Sequence, residues 1–466
     1  MPDVYRLVSR DCHHNFGLQI VRMAIAGRLG ARRFVAVFGS AFLIYLAFFG
    51  GHYVSGDNSQ RIAWAKALID CHCNDISPYF PGLHHTKYGI GVSLLQVPFI
   101  VVARLFAHIT GIPIEGPLNM MLFTLNSAIG VAFVYLILER QGVQWCTAAM
   151  GALVIGVTTV WFPYSKVEYA EAIVTTLILA MYLLVDGHPW VAGLIGGFVV
   201  AIRQDALVIV ALTGTIAPSN RKSFMPIAIG MIPGLLLTIA ANHARTGSIL
   251  SSGYEVDFRT PILTGLYGFL FSAGKSLFLF SPLMVLYFAA ARRLWSDPAQ
   301  RRLIVWSLAL LGVQLLLYAK WWDWSGDDAW GPRFIVTATI VCLIVVAASD
   351  YMHSRWFAML AVLGALMQIP PVLIGPHSSL MLVHLRKPMK TDTGTIDRSP
   401  ITLDDMRFDP SYSQITATCE LLLFKASGGR LEASSSFLSS FDPPLRPEDV
   451  LIDVLWLHPN ATRRTR

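Results

Sequence analysis

Long apolar runs recur along this chain and constrain its fold more strongly than any single motif. Hydrophobic residues make up 54% of its 466 residues, and charged residues make up only 14%. A soluble domain carries roughly 25% charged residues. The sequence therefore predicts an all-α, polytopic membrane protein. The apolar runs lie at about 33–50, 91–109, 117–138, 145–163, 170–186, 189–216, 224–242, 276–291, 303–319, 334–349 and 356–374.

Polar stretches divide the chain into three parts. Residues 1–33 are basic, so we expect a cytoplasmic leader before an uncleaved first span rather than a signal peptide. Residues 34–374 hold the membrane helices, and residues 375–466 form a polar tail that we expect outside. With the leader inside, residues 51–116 form the first outer loop. The net charge of +7 orients helices and implies no nucleic-acid partner.

Positive charge in the short loops sets the orientation of the later helices. Short basic loops are expected on the cytoplasmic side. This places the loops 243–275 and 320–333 outside. The basic residues that carry the argument are Arg221, Lys222, Arg292, Arg293, Arg301, Arg302 and Arg355.

Two arrangements of the remaining runs satisfy this orientation. In the first, 91–109 lies along or dips into the outer surface, and 189–216 is a hairpin of two short helices broken between Arg203 and Asp205. In the second, both runs cross the membrane and this charged pair lies near the midplane, at about 2.5–3.5 kcal/mol per residue. The first is favoured because irregular backbone is tolerated where it lines a cavity. It gives about eleven membrane-inserted segments, with juxtamembrane helices in the first outer loop.

The favoured arrangement gathers isolated polar side chains on the outer face. Single cations at a membrane surface, each beside an acid, an aromatic residue or a glycine, suit anionic head groups or phosphates. Tryptophans alternating with aspartates, as in 321–330, suit the CH faces and hydroxyls of sugars. The candidate site residues are Asp57, Lys87, Tyr164, Lys166, Glu171, Arg203, Asp205, Tyr254, Lys275, Trp322, Asp323, Trp324 and Arg333.

Several candidates also have a purely structural interpretation. Asp57 fits a helix N-cap, and Lys87 fits a side chain that reaches up to the membrane interface. Glu171 fits a residue that only favours the dipole of its helix. The tryptophans of 321–330 fit an aromatic belt at the interface, and Arg203 with Asp205 fits a structural ion pair.

No cofactor is assigned from the sequence, and a divalent metal ion is left open. The pair Cys71 and Cys73 flanks a histidine as in half of a metal site, but no partner motif exists elsewhere. The alternative is an ordinary loop, with one of these thiols bridged to Cys419. The glycine-rich stretch Gly268–Ser276 is one residue too long for a nucleotide-binding P-loop.

Five segments form a specific combination: Pro163–Glu171, Ile202–Leu207, Gly247–Tyr254, Ser272–Pro282 and Trp321–Phe334. They follow a basic N-terminus, a span, an outer loop with an early acid, and a lysine before an apolar helix. In this order the chain resembles the GT-C superfamily of polyprenyl-phosphate-sugar-dependent glycosyltransferases. It is most similar to the group of protein O-mannosyltransferases and lipid A aminoarabinose transferases, over about 34–374.

The resemblance implies a GT-C-like membrane domain and a role for several residues. Asp57 matches the first-loop acid that acts as catalytic base, and Lys87 matches the lysine that contacts the carrier phosphate. Glu171 matches the acid of the second outer loop. Arg203 lies where a basic residue faces the cavity. One departure is Asn58, since many members have a second acid there.

The chemistry implied by the resemblance requires few groups. A sugar on polyprenyl phosphate already has a good leaving group, so one carboxylate, Asp57, suffices to deprotonate an acceptor hydroxyl. Fixed cations stabilise the leaving phosphate, and Lys87 with Arg203 or Lys275 supplies them. Direct displacement inverts the anomeric centre.

The sequence therefore predicts a glycosyltransferase of the cell inner (plasma) membrane with its active site on the extracytoplasmic face. Its expected partners are a polyprenyl-phospho-sugar donor, a glycan, lipid or protein acceptor of the cell envelope, and membrane lipid. One alternative is a transporter or flippase for a polar lipid, which would predict internal repeats. Another is a non-catalytic GT-C-like scaffold, which Asn58 favours.

Overall fold

The computed structural model describes residues 30–71, 73–254, 257–326, 329–376, 389–391, 394–396, 402–430, 435, 437–440 and 444–457. Most of the predicted leader 1–33 and several pieces of the tail 375–466 lie outside the described residues. The described part is helical, with one antiparallel hairpin of β1 (Met389–Thr391) and β2 (Gly394–Ile396). The helices are α1 (Gly30–Ala47), α2 (Gly56–Asp70), α3 (Ile90–Thr110), α4 (Glu115–Arg140), α5 (Trp145–Val157), α6 (Trp161–Tyr164), α7 (Ala170–Leu184), α8 (Pro189–Ile202), α9 (Leu207–Ile216), α10 (Phe224–Thr246), α11 (Ile262–Phe271), α12 (Leu277–Phe280), α13 (Tyr287–Leu294), α14 (Pro298–Ala319), α15 (Val336–Ala348), α16 (Arg355–Ile374), α17 (Leu403–Phe408) and α18 (Gln414–Ala426). Short 3₁₀ turns lie at Gln204–Ala206, Arg221–Ser223, Pro282–Leu286, Arg333–Ile335, Asp350–His353, Leu438–Ser440, Pro447–Asp449 and Leu455–Leu457.

Six helices in the described part are long and apolar enough to cross a membrane, and they confirm a helical membrane protein. They are α1, α3, α4, α10 with the 3₁₀ turn before it, α14 and α16, with lengths of 18 to 26 residues. At 1.5 Å per residue, such helices match a hydrocarbon core about 30 Å thick. The other apolar helices have 10–17 residues, so the count of about eleven inserted segments stays a prediction.

The helix bundle has two ends that differ in charge. Helix α14 begins at one end, where Arg302 Nη1 lies 3.6 Å from Asp186 Oδ2. It finishes at the other, where the hydroxyl of Tyr318 donates to Asp205 Oδ2 at 2.6 Å. We call these the basic end and the site end. The loops that were expected on the cytoplasmic side share the basic end, with Arg221, Lys222, Arg292, Arg293, Arg301 and Arg355.

Residues 189–216 form a hairpin of two helices, as the favoured arrangement predicts. A 3₁₀ turn separates α8 from α9. Ser219, just after α9, donates its N–H and hydroxyl to Asp186 Oδ1, just before α8, at 2.6 and 2.5 Å. The chain therefore leaves the basic end and returns to it. Arg203 and Asp205 lie at the tip of this hairpin, at the site end.

Glycines bring α8 and α10 unusually close together. Gly193 and Gly197 of α8 face Gly230 and Gly234 of α10. A Cβ atom at any of these four positions would collide with the opposite backbone. Small residues at this spacing let helix backbones approach each other within a membrane. This packing holds the hairpin against α10, which is long enough to cross a membrane.

Helix α3 is also long enough to cross, yet both of its ends lie at the site end. Just before it, Gly89 packs so closely on the carbonyl groups that end α8 that a side chain there would collide. Just after it, Glu115 of α4 forms an ion pair of 2.6 Å with Lys66 of α2. Helix α3 therefore runs beside α2 and does not reach the basic end. This agrees with the arrangement in which 91–109 lies along or dips into the outer surface.

The described part of the C-terminal tail is joined to the membrane domain at the site end. Helices α17 and α18 and the segment 444–457 enclose a small apolar core of their own. The Leu455 N–H donates to the carbonyl of Phe49 at 2.8 Å, just after α1. The Gly274 N–H donates to the carbonyl of Arg407 at 2.9 Å. The tail therefore covers loops that the sequence alone placed on the outer face.

The cysteines of the first outer loop pair with each other. Cys71 and Cys73 form a disulfide bond, whereas Cys419 is a free thiol. The alternative of a bridge to Cys419 is therefore wrong. The histidine between the two bridged cysteines lies outside the described residues.

Candidate functional site

The carboxylate of Asp57 points away from the end of its helix. Asp57 lies in the first turn of α2, and Ser55 is the residue that precedes the helix. Its Oδ1 accepts from the hydroxyl of Tyr88 at 2.5 Å, and its Oδ2 accepts from Arg333 Nη2 at 2.6 Å. The buried carboxylate of Glu168 instead accepts the N–H groups of Ser55 and the residue before it, at 3.1 and 2.8 Å. The N-cap interpretation of Asp57 is therefore wrong.

Arg333 joins two carboxylates from distant parts of the chain. Its Nη2 binds Asp57, and its Nε donates to Glu171 Oε1 at 2.8 Å. The guanidinium carbon lies 4.2 Å from the centroid of the Tyr169 ring, and the side chain is only 10% exposed. These contacts bring the first outer loop, the start of α7 and the turn before α15 to one point.

Arg203, at the tip of the α8–α9 hairpin, belongs to the same cluster. It donates to Glu171 Oε1, and its Nε and Nη2 donate to Asp205 at 3.1 and 2.6 Å. The other oxygen of Glu171, Oε2, is buried without a hydrogen-bond partner among the described residues. Five of the predicted residues therefore form one network, which we call the Arg333 cluster: Asp57, Glu171, Arg203, Asp205 and Arg333.

The surroundings of Asp57 keep its carboxyl ionised. Burial on its own would raise the pKa of this carboxyl, but Arg333, Arg61 and the hydrogen bonds from Tyr88 and Arg333 lower it well below its usual range. Arg61 Nη2 lies 3.9 Å from Oδ2 of Asp57, and its guanidinium lies 4.4 Å from the ring centroid of Tyr88. Asp57 is therefore an anion at neutral pH, and a weak base while Arg333 holds it.

Two cations beside Tyr88 have no carboxylate partner in the described part of the chain. Lys87 is exposed, and its ammonium lies 5.6 and 5.2 Å from the ring centroids of Tyr88 and Tyr254. Arg245 is buried and donates to the carbonyls on either side of Lys87, at 2.8 and 2.7 Å. Arg245 therefore fixes the loop that presents Lys87. Both cations therefore contact the tyrosine that donates to Asp57.

Asn58 points away from the Arg333 cluster. It is fully buried, and its Oδ1 accepts from Gln96 Nε2 of α3 at 2.7 Å. Its Nδ2 and the nearby Gln96 Oε1 have no partner among the described residues. A carboxylate at this position would be buried against α3 rather than beside Asp57. Asparagine in place of an acid at this position therefore leaves the surroundings of Asp57 unchanged.

Two predicted residues instead contact the C-terminal tail. Lys166 is 2% exposed, with its Nζ 2.8 Å from Asp453 Oδ2 and donating to the carbonyl of Val372 at 2.9 Å. Burial lowers the pKa of Lys166, and Asp453 offsets this only in part. Asp323 lies 3.8 Å from Arg407 Nη2 of α17. The contacts of Lys166 and Asp323 join the tail to the membrane domain.

Tyr164 and Lys275 are also buried, and both contact the tryptophan-rich loop. The hydroxyl of Tyr164 donates to the carbonyl of Trp330 at 2.8 Å. Lys275 Nζ donates to the carbonyl of Ala329 at 2.5 Å. These bonds hold the loop in place, which is a structural explanation for the two residues. Their predicted roles in substrate and phosphate binding stay predictions.

The tryptophans of 321–330 divide between core and surface. Trp324 and Trp330 are buried, and the indole N–H of Trp330 donates to Gln368 Oε1 at 2.9 Å. An aromatic belt at the membrane interface is therefore wrong for these two. Trp321 is half-buried, and Trp322 is 43% exposed, so the ring of Trp322 is open to a ligand.

Sequence reasoning missed several side chains that contact the Arg333 cluster, among them Tyr169, whose ring packs on Arg333, and Arg61, Tyr88 and Tyr318. Arg61 lies four residues after Asp57 on α2, so helical spacing already places the two on one face. Tyr88 follows Lys87 directly, so its place next to a predicted site residue could have indicated it. Tyr318 had no signal, because it is the single tyrosine of a long apolar helix.

The described residues do not form a site for the divalent metal ion that the sequence left open. Asp57 and Glu171 share the guanidinium of Arg333, so positive charge already lies between these two carboxylates. A metal ion there would meet like charge. Within the ranges that the structure describes, no three His, Cys, Asp or Glu side chains group as metal ligands.

Comparison with known proteins adds no further assignment. No protein-family model matches this chain, and neither a curated protein nor a solved structure matches it. The assignment of a function therefore depends on the residues and contacts given above.

Proposed function

We propose that this chain is a membrane glycosyltransferase of the GT-C type, which transfers a sugar from a polyprenyl phosphate carrier to an extracytoplasmic acceptor. The observation that carries the proposal is the carboxylate of Asp57, which accepts from Tyr88, together with two cations that contact this tyrosine, Lys87 at its ring and Arg245 at its carbonyl. Neither cation has a carboxylate partner in the described ranges. Such an arrangement suits an anionic phosphate next to a group that accepts a proton.

The proposed orientation follows from the charge of the two ends. Arginines and lysines are enriched in short cytoplasmic loops, and the basic end holds the short basic connections with Arg221 and Lys222, with Arg292 to Arg302, and with Arg355. The basic end would therefore face the cytoplasm of the inner (plasma) membrane, and the site end the extracytoplasmic side. The acceptor, a glycan, lipid or protein, would approach from that side.

The proposed reaction is a single displacement. The acceptor hydroxyl oxygen attacks the anomeric carbon of the donor sugar, and Asp57 takes the hydroxyl proton. The bond between that carbon and the phosphate oxygen breaks, and polyprenyl phosphate leaves from the opposite face with inversion. Lys87 and Arg203 stabilise the charge that develops on the leaving phosphate. Because this phosphate is a good leaving group, no general acid is required.

Aromatic side chains at the site end and the apolar surface of α3 suit the other parts of the donor. Tyr254 and Trp322 are 40% and 43% exposed at the site end, and aromatic faces pack well on sugar rings. Helix α3 begins three residues after Lys87 and carries exposed apolar side chains, among them Leu105 and Ile109, at 59% and 73%. An isoprenoid tail would lie against these side chains within the membrane.

Replacing Lys87 with methionine should weaken the binding of undecaprenyl phosphate about tenfold, because one charge-assisted contact of about 1.4 kcal/mol is lost. The measurement is the dissociation constant in nanodiscs. Lys87→Arg should keep most of the affinity. The matched control is Lys222→Met, an exposed lysine at the basic end, which should bind as tightly as the wild type. Equal affinities for Lys87→Met and the wild type would contradict the proposed phosphate contact.

A further inference from the structure

Arg333 holds the proposed base, Asp57, and is also placed to bind a phosphate. Its Nη2 holds Asp57 Oδ2 at 2.6 Å, and its Nε holds Glu171 Oε1 at 2.8 Å. A carboxylate held in this way is ionised but accepts a proton poorly. The base of the proposed reaction is therefore restrained in the structure, and the restraint must be removed before the acceptor can be deprotonated.

The incoming donor itself carries the group that can remove this restraint. A phosphate bears negative charge and several acceptor oxygens, and arginine binds such groups with charge-assisted hydrogen bonds. Lys87 and Arg245 already attract an anion to the neighbourhood of Tyr88, the tyrosine that donates to Asp57. A phosphate drawn there competes with Asp57 for the guanidinium of Arg333.

We propose that Arg333 is a positioning residue that transfers its Nη2 contact from Asp57 to the donor phosphate, so that the base becomes active only after the donor has bound. This inference rests on the proposed function. It predicts an ordered reaction, in which the donor binds before the acceptor hydroxyl can be deprotonated.

The surroundings of Arg333 allow this exchange without displacing the whole side chain. The Nε contact with Glu171 and the stacking on the Tyr169 ring, 4.2 Å away, hold one edge and one face of the guanidinium. The Nη2 contact is then the one that changes partner. Asp57 remains held by the hydroxyl of Tyr88 at 2.5 Å and by Arg61 at 3.9 Å.

The exchange can be measured by binding alone, with undecaprenyl phosphate as the probe. If Asp57 competes with the phosphate for Arg333, then Asp57→Asn should tighten binding about fivefold to tenfold. Asp57→Asn would also tighten binding in a simpler way, because it removes a negative charge that repels the phosphate. The double variant separates the two effects, because the competition requires Arg333 and the repulsion does not.

The experiment is therefore a double-mutant cycle of dissociation constants for the wild type, Asp57→Asn, Arg333→Gln and the double variant. We expect Asp57→Asn to tighten binding in the wild-type background and to have little effect beside Arg333→Gln. The control Asp70→Asn, which removes another ion-paired acid of α2, should leave binding unchanged. If Arg333→Gln does not fold, Arg333→Lys replaces it, since one ammonium cannot hold Glu171 and also reach the phosphate.

Each outcome of this cycle decides one point. Equal tightening by Asp57→Asn in both backgrounds, or no tightening in either, would overturn the transfer of Arg333 while leaving the proposed function intact. A wild-type protein that does not bind undecaprenyl phosphate at all would overturn the proposed function itself.

Discussion

Replacing Asp57 with asparagine should lower sugar transfer about 10²-fold to 10⁴-fold, the usual contribution of a general base. Asparagine has nearly the same shape, its Oδ1 can still accept from Arg333, and its amide nitrogen can donate to the hydroxyl of Tyr88, so the fold should survive. It cannot take the proton of the acceptor hydroxyl. The measurement is the rate of transfer from labelled polyprenyl-phospho-sugar in membranes that contain equal amounts of each variant.

Two controls make this prediction specific. Asp57→Glu keeps a carboxylate and should retain more activity than Asp57→Asn, although the longer side chain shifts the oxygens away from Tyr88 and Arg333. Asp70→Asn removes an acid from the far end of the same helix, where it pairs with Arg104, and should transfer at the wild-type rate. Unchanged transfer by Asp57→Asn would exclude Asp57 as the base.

Breaking the buried ion pair between Lys166 and Asp453 should cost about 3–5 kcal/mol of stability, because it leaves an uncompensated charge in the protein interior. The two side chains are 2% and 8% exposed, and their charged atoms are 2.8 Å apart. The pair joins the loop before α7 to the C-terminal tail. Asp453→Asn should therefore lower the free energy of unfolding in detergent and also release the tail to proteolysis.

The double variant and a surface pair provide the controls for this prediction. Lys166→Met with Asp453→Leu replaces both charges by apolar groups and should recover most of the lost stability. Asp350→Asn breaks the pair with Arg293, whose members are 78% and 61% exposed, and should cost less than about 1 kcal/mol. An equal cost for Asp453→Asn and Asp350→Asn would show that the tail is not held by this pair.

The membrane helices and the hairpin were predictable because their signals are local. Apolar runs of sufficient length must form helices in a bilayer, since every backbone polar group has to be bonded within the segment. The charges of Arg203 and Asp205 inside an apolar run indicated a break, because a single span would bury them near the midplane. Both features follow from residues that are close together in the sequence.

The partners within the site could not be predicted, because they join residues far apart in the chain. Asp57 and Arg333 are separated by 276 positions, and no spacing rule connects them. Composition also could not tell that Lys166 and Lys275 are buried while Lys87 is exposed. Their burial depends on how the C-terminal tail and the tryptophan-rich loop pack, which is a property of the tertiary structure.

The C-terminal tail shows the same limit. Its polar composition predicted a segment without a further membrane helix. That composition did not indicate that Asp453 reaches a buried lysine, or that Arg407 approaches Asp323. The tail is thus part of the structural support of the site end.

The central claim is that the protein transfers a sugar from a polyprenyl phosphate carrier, and the most direct test is a reaction with the purified protein in liposomes. Polyprenyl-phospho-sugars labelled in the sugar are supplied with an extract of envelope glycans, lipids and proteins as acceptors. We expect the label to leave the carrier for an acceptor, with release of an equimolar amount of polyprenyl phosphate. A carrier that crosses the bilayer with its sugar still attached, or one that is neither moved nor consumed, would contradict the claim.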